Sequence, residues 1–114
     1  MDINIHSEDL VTIIEVKGSI DGQTASTLQE QILPAIESAP RILLNMTEVS
    51  FMSSAGLRTL LVLHRKAAEK NIDEQKIPII LVGLSEEIRD TMSITGFLDF
   101  FTLCETIDEA RRLS

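Results

Sequence analysis

Two adjacent serines, Ser53 and Ser54, stand in the stretch "FMSSAGLR", residues 51–58. Upstream, "RILLNMTEVS" reads as a buried strand and its exit; downstream, "LRTLLVLHRKAAEK" reads as an amphipathic helix. The pair therefore falls where a strand turns into a helix. The first backbone N–H groups of a helix lack partners and carry partial positive charge. A hydroxyl at such a turn has three uses: it caps the helix, it acts as a nucleophile, or it accepts a phosphate that the same N–H groups stabilise. Ala55 and Gly56 keep side-chain bulk low beside both hydroxyls, so another protein has room to approach.

Other chemistries find less in the chain. A hydrolase nucleophile elbow needs glycine two positions before and after its serine, but Phe51 or Met52 stands before this pair. His6 and His64 are the only histidines, and neither has triad context or metal-ligand spacing. No glycine-rich segment resembles a phosphate loop or dinucleotide fingerprint. The expectation is no catalytic residue, no metal and no cofactor. Cys104, the only cysteine, excludes an intrachain disulfide and reads as a small buried hydrophobe in "FFTLCE". The formal net charge of −8 argues against nucleic acid and anionic membrane as partners. The first residues lack the pattern of a signal peptide, and no apolar run has transmembrane length, so a cytoplasmic location is expected.

The elements that must position the serines follow from periodicity. "DINIH", a polar turn at "SEDL" and "LVTIIEVKG" predict an opening antiparallel hairpin, closed by Gly18 and Asp21-Gly22. Apolar residues from Thr24 to Ala39 mark one helical face, with Ser26 and Gln29 or Thr27 and Glu30 as possible capping boxes. Pro34 is expected to kink or split that helix, and Pro40 to stop it. "RILLN" is a compact strand, and the helix after Ser54 sets Leu57, Leu60, Leu61 and Ala68 on one side. "EKNIDEQK" reads as a charged surface loop, "IPIILVG" as a strand with Pro78 near its start, and "LSEEIRDTMSITG" as a helix capped by Ser85 and stopped by Gly96. "DFFTL" is a short strand, and "TIDEARRL" a closing helix with Thr106 and Glu109 as capping box. Leu57, Leu61, Ile80, Val82 and Ile88 are expected in the core. Helix and strand alternation after a hairpin argues a single α/β domain over 1–114, with a mixed, mostly parallel sheet of about five strands and about four helices.

Three stretches, "GSIDGQTASTLQEQI", "ILLNMTEVSFMSSAGLRTLL" and "MSITGFLDFFTLCETIDEA", resemble the STAS domain of bacterial anti-sigma-factor antagonists, in order and over nearly the whole chain. The resemblance implies a cytoplasmic protein that is not an enzyme. It implies binding to an anti-sigma factor serine kinase, which frees a sigma factor, and phosphorylation of one serine, which separates the complex until a phosphatase restores binding. The family pattern around the acceptor is Asp-Ser-Ser/Thr/Ala-Gly-Leu. It sets the acceptor on Ser54 and puts Ser53, a rival hydroxyl, where the family has Asp. It also matches Asp21 after the second strand and Asn45 at the end of the next, both expected near Ser54. The implied partner-binding set is Asp21, Asn45, Ser53, Ser54, Gly56 and Arg58. The alternatives are a STAS module of another system (a stressosome-type scaffold, a lipid-transport accessory subunit or a transporter regulatory domain), a small-ligand or nucleotide sensor, and a small serine hydrolase.

Overall fold

A computed structural model describes residues 1–8, 11–38, 41–70 and 79–113. The elements are β1 (Asp2–Glu8), β2 (Val11–Ile20), α1 (Thr24–Ser38), β3 (Ile42–Met52), α2 (Ser54–Lys70), β4 (Ile79–Val82), α3 (Glu86–Ile94), a 3-10 turn (Leu98–Phe100), β5 (Thr102–Cys104) and α4 (Ile107–Leu113). They form one five-stranded sheet in the order β1-β2-β3-β4-β5; β1 pairs antiparallel with β2, and every later pair is parallel. The expected α/β class, hairpin and mixed sheet are all present.

Right-handed crossovers that step along a sheet in one direction place their helices on one face. Here α1, α2 and α3 share a face and bury Ile14, Val16, Ile20, Leu44, Met46, Ile79 and Leu81 beneath them. The alternate strand residues Ile13, Leu43, Ile80, Val82 and Cys104 point to the other face, where α4 covers them with Ala110 and Ile107. Strands β3 and β4 are apolar on both faces, which is why "ILL" and "IILV" read as unbroken apolar runs.

Several boundaries differ from the sequence reading. Ser7 and Glu8 continue β1 rather than turning, and their partners are Thr12 and Val11. Gly18 lies inside β2 at a φ of 105°, beside a register shift whose extra residue is on β3, so it does not end the strand. Strand β3 runs on from Asn45 to Met52, because two bulges let it stay paired with β2 after its alternation breaks. Helix α1 passes through Pro34 without splitting. In α2, Leu63 and Ala67 are buried, Leu61 is half-buried and Ala68 is exposed, so the core-facing stripe is rotated from the expected one. Leu57, Ile80, Val82 and Ile88 are buried as expected. "DFFTL" divides between the 3-10 turn and β5. Of the stretch "EKNIDEQK" expected as a loop, Glu69 and Lys70 belong to α2, while residues 71–76, Pro78 and Pro40 lie outside the described residues. Ser85 and Gly96 do bound α3: the Ser85 hydroxyl accepts from the Ile88 N–H, and Gly96 has a φ of 79°.

Candidate functional site

Parallel neighbours β2 and β3 end together, with Ile20 paired to Met52. Each chain then enters a helix, so the starts of α1 and α2 lie side by side at one end of the sheet. Ser53 joins them: its N–H donates to the Ile20 carbonyl at 2.8 Å.

The two serines have different roles. The Ser53 carbonyl accepts the first helical bond of α2 from the Leu57 N–H at 3.0 Å, and its hydroxyl accepts from the Gly56 N–H at 3.2 Å. Ser53 is therefore the N-cap. Ser54 is the first residue of α2, is exposed, and makes no hydrogen bond through its hydroxyl among the described residues. Asp and Ser serve almost equally as N-caps, so Ser53 does for this helix what the Asp of the family pattern would do.

Asp21 caps α1 by the same logic. Its carbonyl accepts from the Ala25 N–H, and Oδ1 accepts from the Gln23 and Thr24 N–H groups at 2.9 and 3.0 Å. The Thr24 hydroxyl returns the bond by accepting from the Asp21 N–H at 2.8 Å, and donates to the Ser19 carbonyl. The capping pair is Asp21 with Thr24, not Ser26 with Gln29 or Thr27 with Glu30. The Thr24 N–H, then that of Gln23, holds the Asp21 carboxyl below its ordinary pKa, so it is ionised at neutral pH.

Gly56 is present for space. A Cβ there would come 2.7 Å from Ile20 Cγ2, 2.8 Å from Met52 Cγ and 3.0 Å from the Ile20 carbonyl oxygen. The start of α2 thus presses directly on the ends of β2 and β3. Arg58, one turn after Ser54, is exposed.

Asn45 is not brought to this end. Between the pairs Glu15–Asn45 and Ile20–Met52 strand β2 advances five residues, about 17 Å. Asn45 instead accepts from the Thr47 N–H and hydroxyl, and lines a cleft of about 240 Å³ with Glu15, Lys17 and Glu48. Its distance from Ser54 corrects the expected grouping, and the physical reason is the length of β3. The sequence reading also missed three contributors: Thr24, the Ile20 carbonyl, and Phe51, which is 54% exposed in the strand leading to the serines. The spacing Asp21-x-x-Thr24 was the available signal for the first.

Neither histidine serves the serines. His6 lies on β1, and His64 lies ten residues along α2 from Ser54, about 15 Å. The His64 ring packs edge-on against Phe101, with centroids 5.2 Å apart. Among the described residues, no group of His, Cys, Asp and Glu is arranged to hold a metal ion, and no helix is long and apolar enough to cross a membrane.

A five-stranded mixed sheet with three helices on one face and one on the other defines a small α/β domain. The chain belongs to the STAS domain family, whose pattern matches residues 2–110. It is 29% identical over 91 residues to the anti-sigma-B factor antagonist of Listeria monocytogenes, covering 79% of this chain and 75% of that one. Its structure superposes on an anti-sigma factor antagonist from Mycobacterium paratuberculosis with a TM-score of 0.81, at 27% identity, covering 97% of this chain and 91% of that one. It also superposes on the Bacillus cell fate determinant SpoIIAA in its phosphorylated form, with a TM-score of 0.69 at 22% identity, covering 97% of each chain.

Proposed function

We propose that this chain is an anti-sigma factor antagonist: a cytoplasmic, non-enzymatic module that binds an anti-sigma factor serine kinase, loses that binding when Ser54 is phosphorylated, and regains it through a phosphatase. The observation that carries the reading is the division between the two serines. Ser53 is committed to capping α2, while Ser54, one residue later, presents to solvent a hydroxyl with no bond among the described residues. The names of the relatives support the antagonist role, and the phosphorylated form of the Bacillus protein supports the switch. Against hydrolysis stands the position of His64, about three turns of helix away from Ser54 and packed on Phe101.

A phosphate on Ser54 adds about −1.5 to −2 charges at pH 7. At the start of α2 it faces partial positive charge, so the fold tolerates it, and its effect falls on the docking surface. The test is phosphopeptide mass spectrometry after incubation with the kinase and ATP. Phosphate is expected on Ser54 in the wild type and in Ser53→Ala, and nowhere in Ser54→Ala. Phosphate on Ser53 that persists in Ser54→Ala would overturn the choice of serine. In pull-downs Ser54→Ala should hold the kinase through ATP addition, whereas Ser54→Asp should fold and release it.

A further inference from the structure

We propose that Arg58 receives the phosphate when Ser54 is phosphorylated and, in the unmodified protein, presents the same guanidinium to an acidic group on the partner. The proposal rests on the reading of Ser54 as acceptor and adds how the modification changes the surface.

Ser54 and Arg58 are four residues apart on α2, and both are exposed. Residues at that spacing are neighbours, and helical side chains lean toward the N-terminus, so Arg58 leans over Ser54 rather than away from it. Arg58 has no ion-pair partner among the described residues, whose pairs are His6–Glu8, Lys17–Glu48, Lys66–Glu69 and Arg111–Glu8. The backbone pre-forms part of the anion site. The Gly56 and Leu57 N–H groups are taken by Ser53, while those of Ser54 and Ala55 make no bond among the described residues.

The partner's chemistry follows from charge. Ser54, Arg58 and Arg65 lie exposed along α2, with the half-buried Leu61, which packs against the core, between the two arginines. Glu69 is the only acid in α2, yet the whole chain carries a net −8. The outward face of α2 is thus a basic stripe on an acidic molecule, and it fits an acidic protein surface. Phosphorylation reverses that fit. The ionised Asp21 caps α1, and the Ile20–Ser53 bond ties the strand end that precedes it to the start of α2. A phosphate on Ser54 adds about −1.5 to −2 charges at the start of this basic stripe. It also engages Arg58 within its own helix. Glu30 and Glu37 of α1 lie two and four turns further from this end, since α1 and α2 start together and run side by side.

The test uses phosphoserine inserted at position 54 during translation, so that no kinase is needed. Phosphorus NMR titration reads the second pKa of the phosphate. It should be lower in the wild type than in Arg58→Gln by about 0.3–0.7 unit at low salt, the shift expected of one exposed ion pair, and high salt should shrink the difference. Arg58→Lys should fall between the two, because the charge stays and the fork is lost. Arg65→Gln, about 16 Å along the helix, should titrate with the wild type. Identical curves for wild type and Arg58→Gln overturn the phosphate contact, and equal shifts from Arg58→Gln and Arg65→Gln reduce it to a diffuse field. For the partner contact, the unmodified protein is titrated calorimetrically against the anti-sigma factor kinase. Arg58→Glu should weaken binding about tenfold or more, and unchanged affinity overturns that half. A kinase that leaves Ser54 unmodified would defeat the acceptor reading without altering the NMR result.

Discussion

Ser53 and Ser54 differ by one position, and that position decides which hydroxyl the fold consumes. Ser53→Ala removes the acceptor of the Gly56 N–H and should cost about 1 kcal/mol. In a domain of this size that lowers the melting temperature by about 4 °C in calorimetry. Ser53→Asp should restore it, and Ser54→Ala should leave it within about 1 °C, since an exposed, unbonded hydroxyl contributes little. Equal losses from both alanine variants would mean that the cap is shared. The stretch "FMSSAGLR" made the turn legible but left cap, nucleophile and acceptor all open, because helix starts are fixed by hydrogen bonds that a sequence pattern locates only to within a residue or two. Asp21 shows the same boundary at the other helix. It was legible as a turn residue, and as a family match, but its work as the α1 cap depends on Thr24, whose hydroxyl is bound three residues away. Its depressed pKa signs the pH dependence. The charged carboxylate supports the fold above the unfolded pKa of about 4, and that support is lost as pH falls through the lower folded value. Asp21→Asn should therefore flatten the acid limb of the stability curve, measured by denaturant titration between about pH 5 and pH 2.

At the scale of elements, the site depends on how closely α2 meets β2 and β3. Gly56→Ala would bring a methyl group against Ile20 and Met52. The gain in helix propensity is about 1 kcal/mol, and the overpacking cost is about 1–3 kcal/mol, so the net effect is destabilising. Because the clash includes the Ile20 carbonyl, the same change should lengthen its bond to the Ser53 N–H and speed hydrogen exchange at that amide, while exchange in β4 stays slow. A more stable Gly56→Ala protein would show that the strand ends yield without cost. Strand β4 and the start of β3 were legible because their apolar runs are short and continuous, and β2 because its apolar residues dominate a β-branched stretch. The second half of β3 was not: bulges set Thr47 and Glu48 outward in succession, which no period-two pattern accommodates. That missed length is what carried Asn45 away from Ser54. The register of α2 was misjudged for a related reason. Ala67 and Ala68 look alike in sequence, and only packing against the sheet and α1 decides which is buried.

Across the whole molecule, alternation of helices and strands made the sheet class readable, and handedness then made the site. Since β2 to β5 step in one direction, their helices share a face, and α1 and α2 must start together at the Ser54 end. The opposite end of the same layer is closed by a contact that the sequence did not announce: His64 of α2 against Phe101, between the 3-10 turn and β5. His64 reads in sequence as a residue at the edge of a stripe. In the fold it is half-buried, its Nδ1 is shielded from solvent with no hydrogen-bond partner among the described residues, and burial lowers its pKa from the ordinary value. The native state therefore favours neutral imidazole, and the unfolded chain binds a proton more readily. Stability is complete above the unfolded pKa of about 6.5 and declines as pH falls below it toward the lower folded value. We expect the denaturant midpoint to fall between pH 7.5 and pH 5.5 in the wild type (window set by that pKa, roughly), and to fall less in His64→Gln, which keeps a polar group of similar length but cannot ionise. Because α2 links this contact to the serine turn, protonation should loosen the 3-10 turn first, read as faster exchange at the Phe101 amide, whose bond to the Leu98 carbonyl holds that turn. Parallel pH profiles for the wild type and His64→Gln would mean that the ring moves to solvent on protonation without cost to the fold.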